Sequence, residues 1–153
     1  MRQEKKKMLL YIAIPLAVGG LAAALSGGMG EVYQSYARPP LSPPGWVFAV
    51  VWPILYGLMG YASYLVADAD GEKRGALVLY YIQLGLNFLW PILFFRFELV
   101  LPALILLVAL WVAVLLTIRS FTAVSERAGD LLLPYIFWLS FALYLNFGIF
   151  LLN

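Results

Sequence analysis

The sequence predicts an all-α membrane protein, a bundle of five transmembrane helices forming a single domain over residues 1–153. Three observations predict it. First, 64% of the residues are hydrophobic and only 12% are charged, where a soluble domain carries about 25% charged residues. Second, the charges cluster, and five long apolar stretches between them contain no Asp, Glu, Lys or Arg. Third, each stretch is near the roughly 20 residues that a helix needs to cross about 30 Å of hydrocarbon. A β-barrel would instead alternate apolar and polar residues in segments of about 10.

Taken in order, the first span is Met8–Leu25, preceded by the basic run "MRQEKKK". A signal peptide starts in the same way, but this apolar core is long for an h-region of about 7–15 residues, so it reads as a membrane helix. Gly19, Ala23 and Gly27 recur every four residues. They form a small-residue packing face, used either within the bundle or between subunits.

Residues 26–45 are the one long connection, and they carry Pro39, Pro40, Pro43 and Pro44. Each proline holds φ near −65° and lacks an N–H, so the path is stiff and extended. Ser42 is a good N-cap, and Pro43 then suits the first helical position, which predicts a helix start near Pro43. A helix start accounts for Pro43 and Pro44. A stiff lid over a cavity accounts for all four.

The second span is Trp46–Val66, with Trp52 and Tyr56 one turn apart. The polar turn "DADGEK" (68–73) leads to the third span, Ala76–Phe95, whose helical spacing puts Tyr80, Gln83, Asn87, Trp90 and Phe94 on one face. An amide inside a span should face the bundle or a cavity. The short turn "RFE" (96–98) makes the fourth span, Leu99–Ile118, an antiparallel neighbour of the third. A second polar turn, "SERAGD" (125–130), precedes the fifth span, Leu131–Leu152, which lines up Tyr135, Trp138, Ala142, Leu145 and Ile149. "WPIL" occurs at 52–55 and at 90–93. Each proline removes a helical hydrogen bond and favours a kink, which opens space between helices.

The charge pattern orients the chain. With five spans, one side carries Arg2, Lys5, Lys6, Lys7, Lys73, Arg74, Arg119 and Arg127, and the other only Arg38 and Arg96. The positive-inside rule puts the N-terminus in the cytoplasm and the C-terminus outside, for a protein of the plasma membrane. The proline loop then faces outward. A net charge of +2 with no basic stripe beyond the N-terminus gives no footprint for nucleic acid. The chain has no Cys and no His, which removes thiolate catalysis, Cys/His metal sites and His acid–base chemistry.

Three blocks resemble the TspO/translocator protein family of tryptophan-rich sensory proteins and peripheral-type benzodiazepine receptors. "YARPPLSPPGWVFAVVWPILYGLMGYAS" is similar to its loop-one and helix-two signature. "YIQLGLNFLWPILFF" is similar to its helix-three pattern, and "LLLPYIFWLSFALYLNFGIFLLN" to its helix-five pattern. The resemblance runs from about Tyr33 to the C-terminus. It implies a five-helix bundle, often a homodimer, with a ligand cavity beneath loop one. It also implies flat aromatic ligands, porphyrins and other tetrapyrroles among them, and a bacterial plasma-membrane setting.

Carried over by motif, the ligand-binding residues are Tyr33 and Pro43 of the loop, Trp52, Asn87, Trp90, Trp138, Ala142 and Leu145. No metal and no further cofactor is implied, and porphyrin enters as ligand or substrate. One departure is that no basic residue follows Tyr144, as the cholesterol-recognition pattern of some members requires.

Three functions are weighed. The first is a tetrapyrrole-binding sensor or regulator. The second is a porphyrin-degrading enzyme driven by light and oxygen, with Trp52 and Trp138 as its catalytic residues. The third is a transporter, ranked last because carriers keep ionisable groups in the membrane, and these spans hold none.

Overall fold

A computed structural model describes residues 1–153. Its helices are α1 (Arg2–Ser26), α2 (Met29–Ser35), α3 (Gly45–Asp68), α4 (Arg74–Pro91), α5 (Val100–Val124), α6 (Glu126–Leu131) and α7 (Leu133–Leu152). A π-helical turn, Ile92–Arg96, continues α4. Five helical segments are long and apolar enough to span a membrane: α1, α3, α4 with its π turn, α5, and α6 with α7. The chain is an integral membrane protein.

Several boundaries differ from expectation, each for a local reason. The basic N-terminal run is helical from Arg2, because Gln, Glu and Lys are good helix formers and nothing there breaks the helix. The long loop contains α2. The turn 125–130 is itself helical: Ser125 Oγ accepts from Ala128 N at 3.3 Å, and Glu126 sits in the first turn.

The helix start expected near Pro43 falls instead at Gly45, with Pro44 as an extended N-cap (φ −60°, ψ 152°). A residue preceding proline is kept out of the α region by the following ring. Pro43 is therefore barred from the first turn by Pro44. Ser42 does not cap α3; its hydroxyl donates to Pro39 O at 2.6 Å.

In lipid, helices gain little from hydrophobic burial against each other, so close packing and internal hydrogen bonds decide the arrangement. α1 lies on α3, α4 on α5, α5 on α7, and α1 also meets α4. The α1–α3 contact is backbone to backbone: a Cβ on Gly60 would lie 2.6 Å from Ile12 Cα and 2.7 Å from Tyr11 O. The small-residue face of α1 is used inside the bundle, since Gly19 abuts the Tyr56 ring. The core joins Met59, Tyr80, Leu107, Val114, Phe121 and Leu139 from four helices. Outward faces are apolar and exposed, as at Leu9, Ile54, Ile105 and Phe137.

At the end bearing most cations, Lys73 Nζ donates to Ala67 O and Ala69 O, both at 2.6 Å, and so closes the C-terminus of α3. Lys7 pairs with Asp68 at 3.5 Å. Both side chains of that pair are about half exposed, so it adds about 0–1 kcal/mol.

Candidate functional site

At the opposite end the loop is clasped down on the bundle. Pro39 is buried in a notch left by Gly148, where a Cβ would come within 2.5 Å of Pro39 Cγ. Asn153 grips the backbone of Ala37 from both sides: Ala37 N donates to Oδ1 at 3.1 Å, and Nδ2 donates to Ala37 O at 2.8 Å. Tyr144 Oη donates to Pro40 O at 2.6 Å. Because the prolines cannot donate, their free carbonyls become the points of attachment. Tyr33 Oη takes the carbonyl of Pro43 at 2.7 Å, which ties α2 to the entry of α3.

Beneath this clasp lies a cavity of about 450 Å³, within the range of about 300–1,000 Å³ typical of small-molecule sites. Its ceiling is Met29, Gly30 and Tyr33 of α2. One wall is α3, through Phe48, Ala49, Trp52, Pro53 and Tyr56; another is Asn87, Trp90 and Pro91 of α4 with Phe95 of the π turn. The last wall is α1, through Leu16, Gly19, Gly20, Ala22 and Ala23. No lining residue is charged. Both "WPIL" prolines border this space, and the π turn follows directly on Pro91. A larger hollow of about 760 Å³ at Gly71–Arg74 is an open surface groove at the other end of α4 and encloses nothing.

The floor is a chain of hydrogen bonds that knits three helices. Tyr56 Oη donates to Asn87 Oδ1 at 2.9 Å, and Asn87 Nδ2 donates to Tyr135 Oη at 2.5 Å. Tyr135 Oη donates to Gln83 Oε1 at 2.8 Å. Asn87 is buried, yet its amide borders the cavity with one N–H and one acceptor lone pair beyond these bonds. Trp90 is held by Nε1 donating to Asn146 Oδ1 at 3.0 Å, and it stacks on Phe94 with centroids 5.2 Å apart.

Trp52 is the centre of the aromatic cluster. It stacks on Tyr56 (5.5 Å, 29°) and meets Tyr135 (6.3 Å, 74°) and Trp138 (6.5 Å, 88°) edge to face. Of the residues expected in the site, Tyr33, Trp52, Asn87 and Trp90 line the cavity. Pro43 holds Tyr33 through its carbonyl. Trp138 stands behind Trp52 and against Phe48 (5.5 Å) rather than in the lining. Ala142 and Leu145 are buried on α7 and lie outside the lining.

The α1 wall was missed from the sequence, where its glycines and alanines read only as a packing face. The signal was present: small residues leave room wherever the facing helix does not fill it.

Residues 11–152 match the family model described as the TspO/MBR family. The chain is 37% identical to the tryptophan-rich protein TspO of Chlorobaculum tepidum, over 100% of this chain and 99% of that protein. It is 35% identical to the tryptophan-rich sensory protein of Cereibacter sphaeroides, over 94% and 91%. It is 37% identical to the translocator protein of Bos taurus, over 90% and 84%.

Proposed function

The chain belongs to the TspO/MBR family, and on that premise we propose that it is a tetrapyrrole-binding sensor or regulator whose ligand occupies the cavity under loop one. The observation that carries this reading is the character of the cavity. It is uncharged and walled by the aromatic side chains of Trp52, Phe48 and Trp90, with the Asn87 amide at its floor. Aromatic faces attract flat π systems, and one fixed amide supplies a polar contact that sets orientation. Gly20 of α1 leaves open space beside the cavity, since a Cβ there would meet nothing within 4 Å. In the proposed orientation, the clasped loop faces away from the cytoplasm and the basic end of the bundle faces into it.

The test is titration of protoporphyrin IX into the purified protein, read as quenching of tryptophan fluorescence. Saturable quenching is expected, with a loss of affinity of about 5- to 150-fold in Trp52→Ala, since a base or ring stacked on an aromatic face loses about 1–3 kcal/mol on its removal. Quenching that does not saturate, or that is unchanged in Trp52→Ala, refutes the reading.

A second reading has its own observation. Trp52 touches Trp138 on the side away from the cavity, so an oxidising equivalent formed at the ligand has a neighbouring indole to reach. Light and dioxygen would drive porphyrin breakdown. Loss of the Soret band under illumination, faster than for free porphyrin in the same detergent, supports it; equal rates remove it.

A further inference from the structure

We propose that Arg38 and Arg96 form a cationic collar on the outer rim of the cavity and select ligands whose flat apolar ring carries carboxylate side chains. The proposal rests on the cavity being the ligand site and names the class of ligand that site takes.

The interior selects for an apolar ring but holds no charge to recognise an acidic substituent. A carboxylate on such a ring must stay at the rim, because burying it unpaired is costly. On the outer end the only charged side chains are Glu31, Arg38, Arg96 and Glu98. Both cations adjoin residues of the cavity. The Arg38 guanidinium lies 4.6 Å from the centre of the Tyr33 ring, and Tyr33 is part of the ceiling. Arg96 Nη1 lies 3.6 Å from the point where a Cβ on Gly27 would stand. Gly27 sits between the lining residues Ala23 and Met29, and Arg96 directly follows the lining residue Phe95.

Neither arginine is engaged by a carboxylate. The one ion pair in the protein, Lys7 with Asp68, is at the other end. Glu98 is turned toward Tyr36, whose hydroxyl is held above the ordinary phenol range first by burial and then by that carboxylate. Glu31 lies over Gly28, its Oε2 3.5 Å from the site of a Cβ there, and beyond ion-pair distance from Arg96.

The backbones that carry the two cations are fixed. Arg38 lies between Ala37, gripped by Asn153, and Pro39, wedged against Gly148. Arg96 ends the π turn, which is closed by Phe97 N donating to Ile92 O at 3.2 Å and Leu99 N donating to Leu93 O at 2.9 Å. A guanidinium carried on a fixed backbone, with its donors free, suits bidentate recognition of a carboxylate.

The experiment compares protoporphyrin IX, a dicarboxylic acid, with its uncharged dimethyl ester on the full chain in detergent. The variants are Arg38→Gln, Arg96→Gln, the double substitution and Glu31→Gln. In the unaltered protein the diacid is expected to bind at least tenfold tighter than the diester. Each single substitution should weaken the diacid about fivefold, the worth of a partly exposed charge pair, and leave the diester unchanged. The double variant should bind the two alike, and Glu31→Gln should strengthen the diacid only.

The diester also reports on folding, since a misfolded variant loses both ligands. Equal binding of acid and ester by the unaltered protein overturns the collar and leaves the cavity reading intact. So does a double variant that keeps its preference for the acid. If neither porphyrin binds saturably, the cavity reading falls and the collar with it.

Discussion

Substituting Gly19 by alanine should damage the site without touching any polar atom. A Cβ at this position would lie 2.2 Å from Tyr56 Cε2, 2.5 Å from Cζ and 2.8 Å from Cδ2. Ordinary contact begins at 3.4 Å, so the ring must retreat by about 1.2 Å. Tyr56 has nowhere to go freely, being stacked on Trp52 and bonded to Asn87 at 2.9 Å. A shift of that size stretches the bond to about 4 Å, where it no longer counts. Losing it costs about 0.6–2 kcal/mol in a membrane bundle, and overpacking adds about 1–3 kcal/mol.

The neighbouring Gly20 is the control, because a Cβ there meets nothing within 4 Å. Gly20→Ala should be neutral, or stabilising by up to about 1 kcal/mol from helix propensity. Thermal unfolding in detergent reads the difference. At about 2–4 °C per kcal/mol, Gly19→Ala should melt roughly 5–15 °C lower while Gly20→Ala stays within about 3 °C. Equal melting temperatures for the two variants would refute the claim that Tyr56 is pinned.

Other outcomes follow from the same contacts. Tyr135→Phe removes a donor to Gln83 and an acceptor for Asn87, and should cost about 1–3 kcal/mol. Asn87→Leu strands the Tyr56 hydroxyl and leaves Tyr135 bonded only to Gln83; with two bonds lost here as well, it should cost a comparable amount, which thermal melts check. Gly148→Ala forces Pro39 out of its notch, so hydrogen exchange at the Ala37 amide should speed up and porphyrin affinity should fall.

The Tyr36 hydroxyl, raised by burial and by Glu98, should ionise above the ordinary value of about 10. The folded state then holds this proton more tightly than the unfolded one. The stability it lends is complete below pH 10 and is lost as pH rises through the folded pKa. The alkaline absorbance difference between the unaltered protein and Tyr36→Phe locates that titration, and Glu98→Gln should move it down.

The spans were legible because a membrane core tolerates no unpaired charge, and the gaps between charged residues mark where the lipid begins and ends. The stripe Tyr80, Gln83, Asn87, Trp90 and Phe94 was legible for the same reason that any helix face is: the 3.6-residue period brings its members together. What the stripe meets was not legible. Asn87 bonds Tyr56 and Tyr135, which lie 31 and 48 residues away, and no local pattern reports such pairings. The loop clasp is more remote still, since Ala37 and Asn153 are 116 residues apart. The start of α3 was readable but was misplaced, because the rule for a residue before proline acts on Pro43 itself. Leu41, with φ 69°, shows the strain that the tight turn after Pro40 imposes on a residue other than glycine.

Trp138 is the residue that best separates binding from chemistry. It lies behind Trp52 and outside the cavity lining. Its indole N–H is buried without a hydrogen-bond partner, although a buried tryptophan usually finds one. Packing against Phe48 and Trp52 needs only an aromatic ring, so phenylalanine would serve, and removing an unpaired buried donor carries little penalty. Trp138→Phe should therefore change stability by less than about 1.5 kcal/mol and porphyrin affinity by less than about twofold. If the protein only binds its ligand, nothing else changes. If it degrades porphyrin through the indole pair, illumination of the Trp138→Phe complex should leave the Soret band as long-lived as that of free porphyrin, while binding persists. A tenfold loss of affinity in this variant would place the ligand against Trp138 instead, on the α7 side of Trp52, and would refute the assignment of the site to the space between α1, α3 and α4.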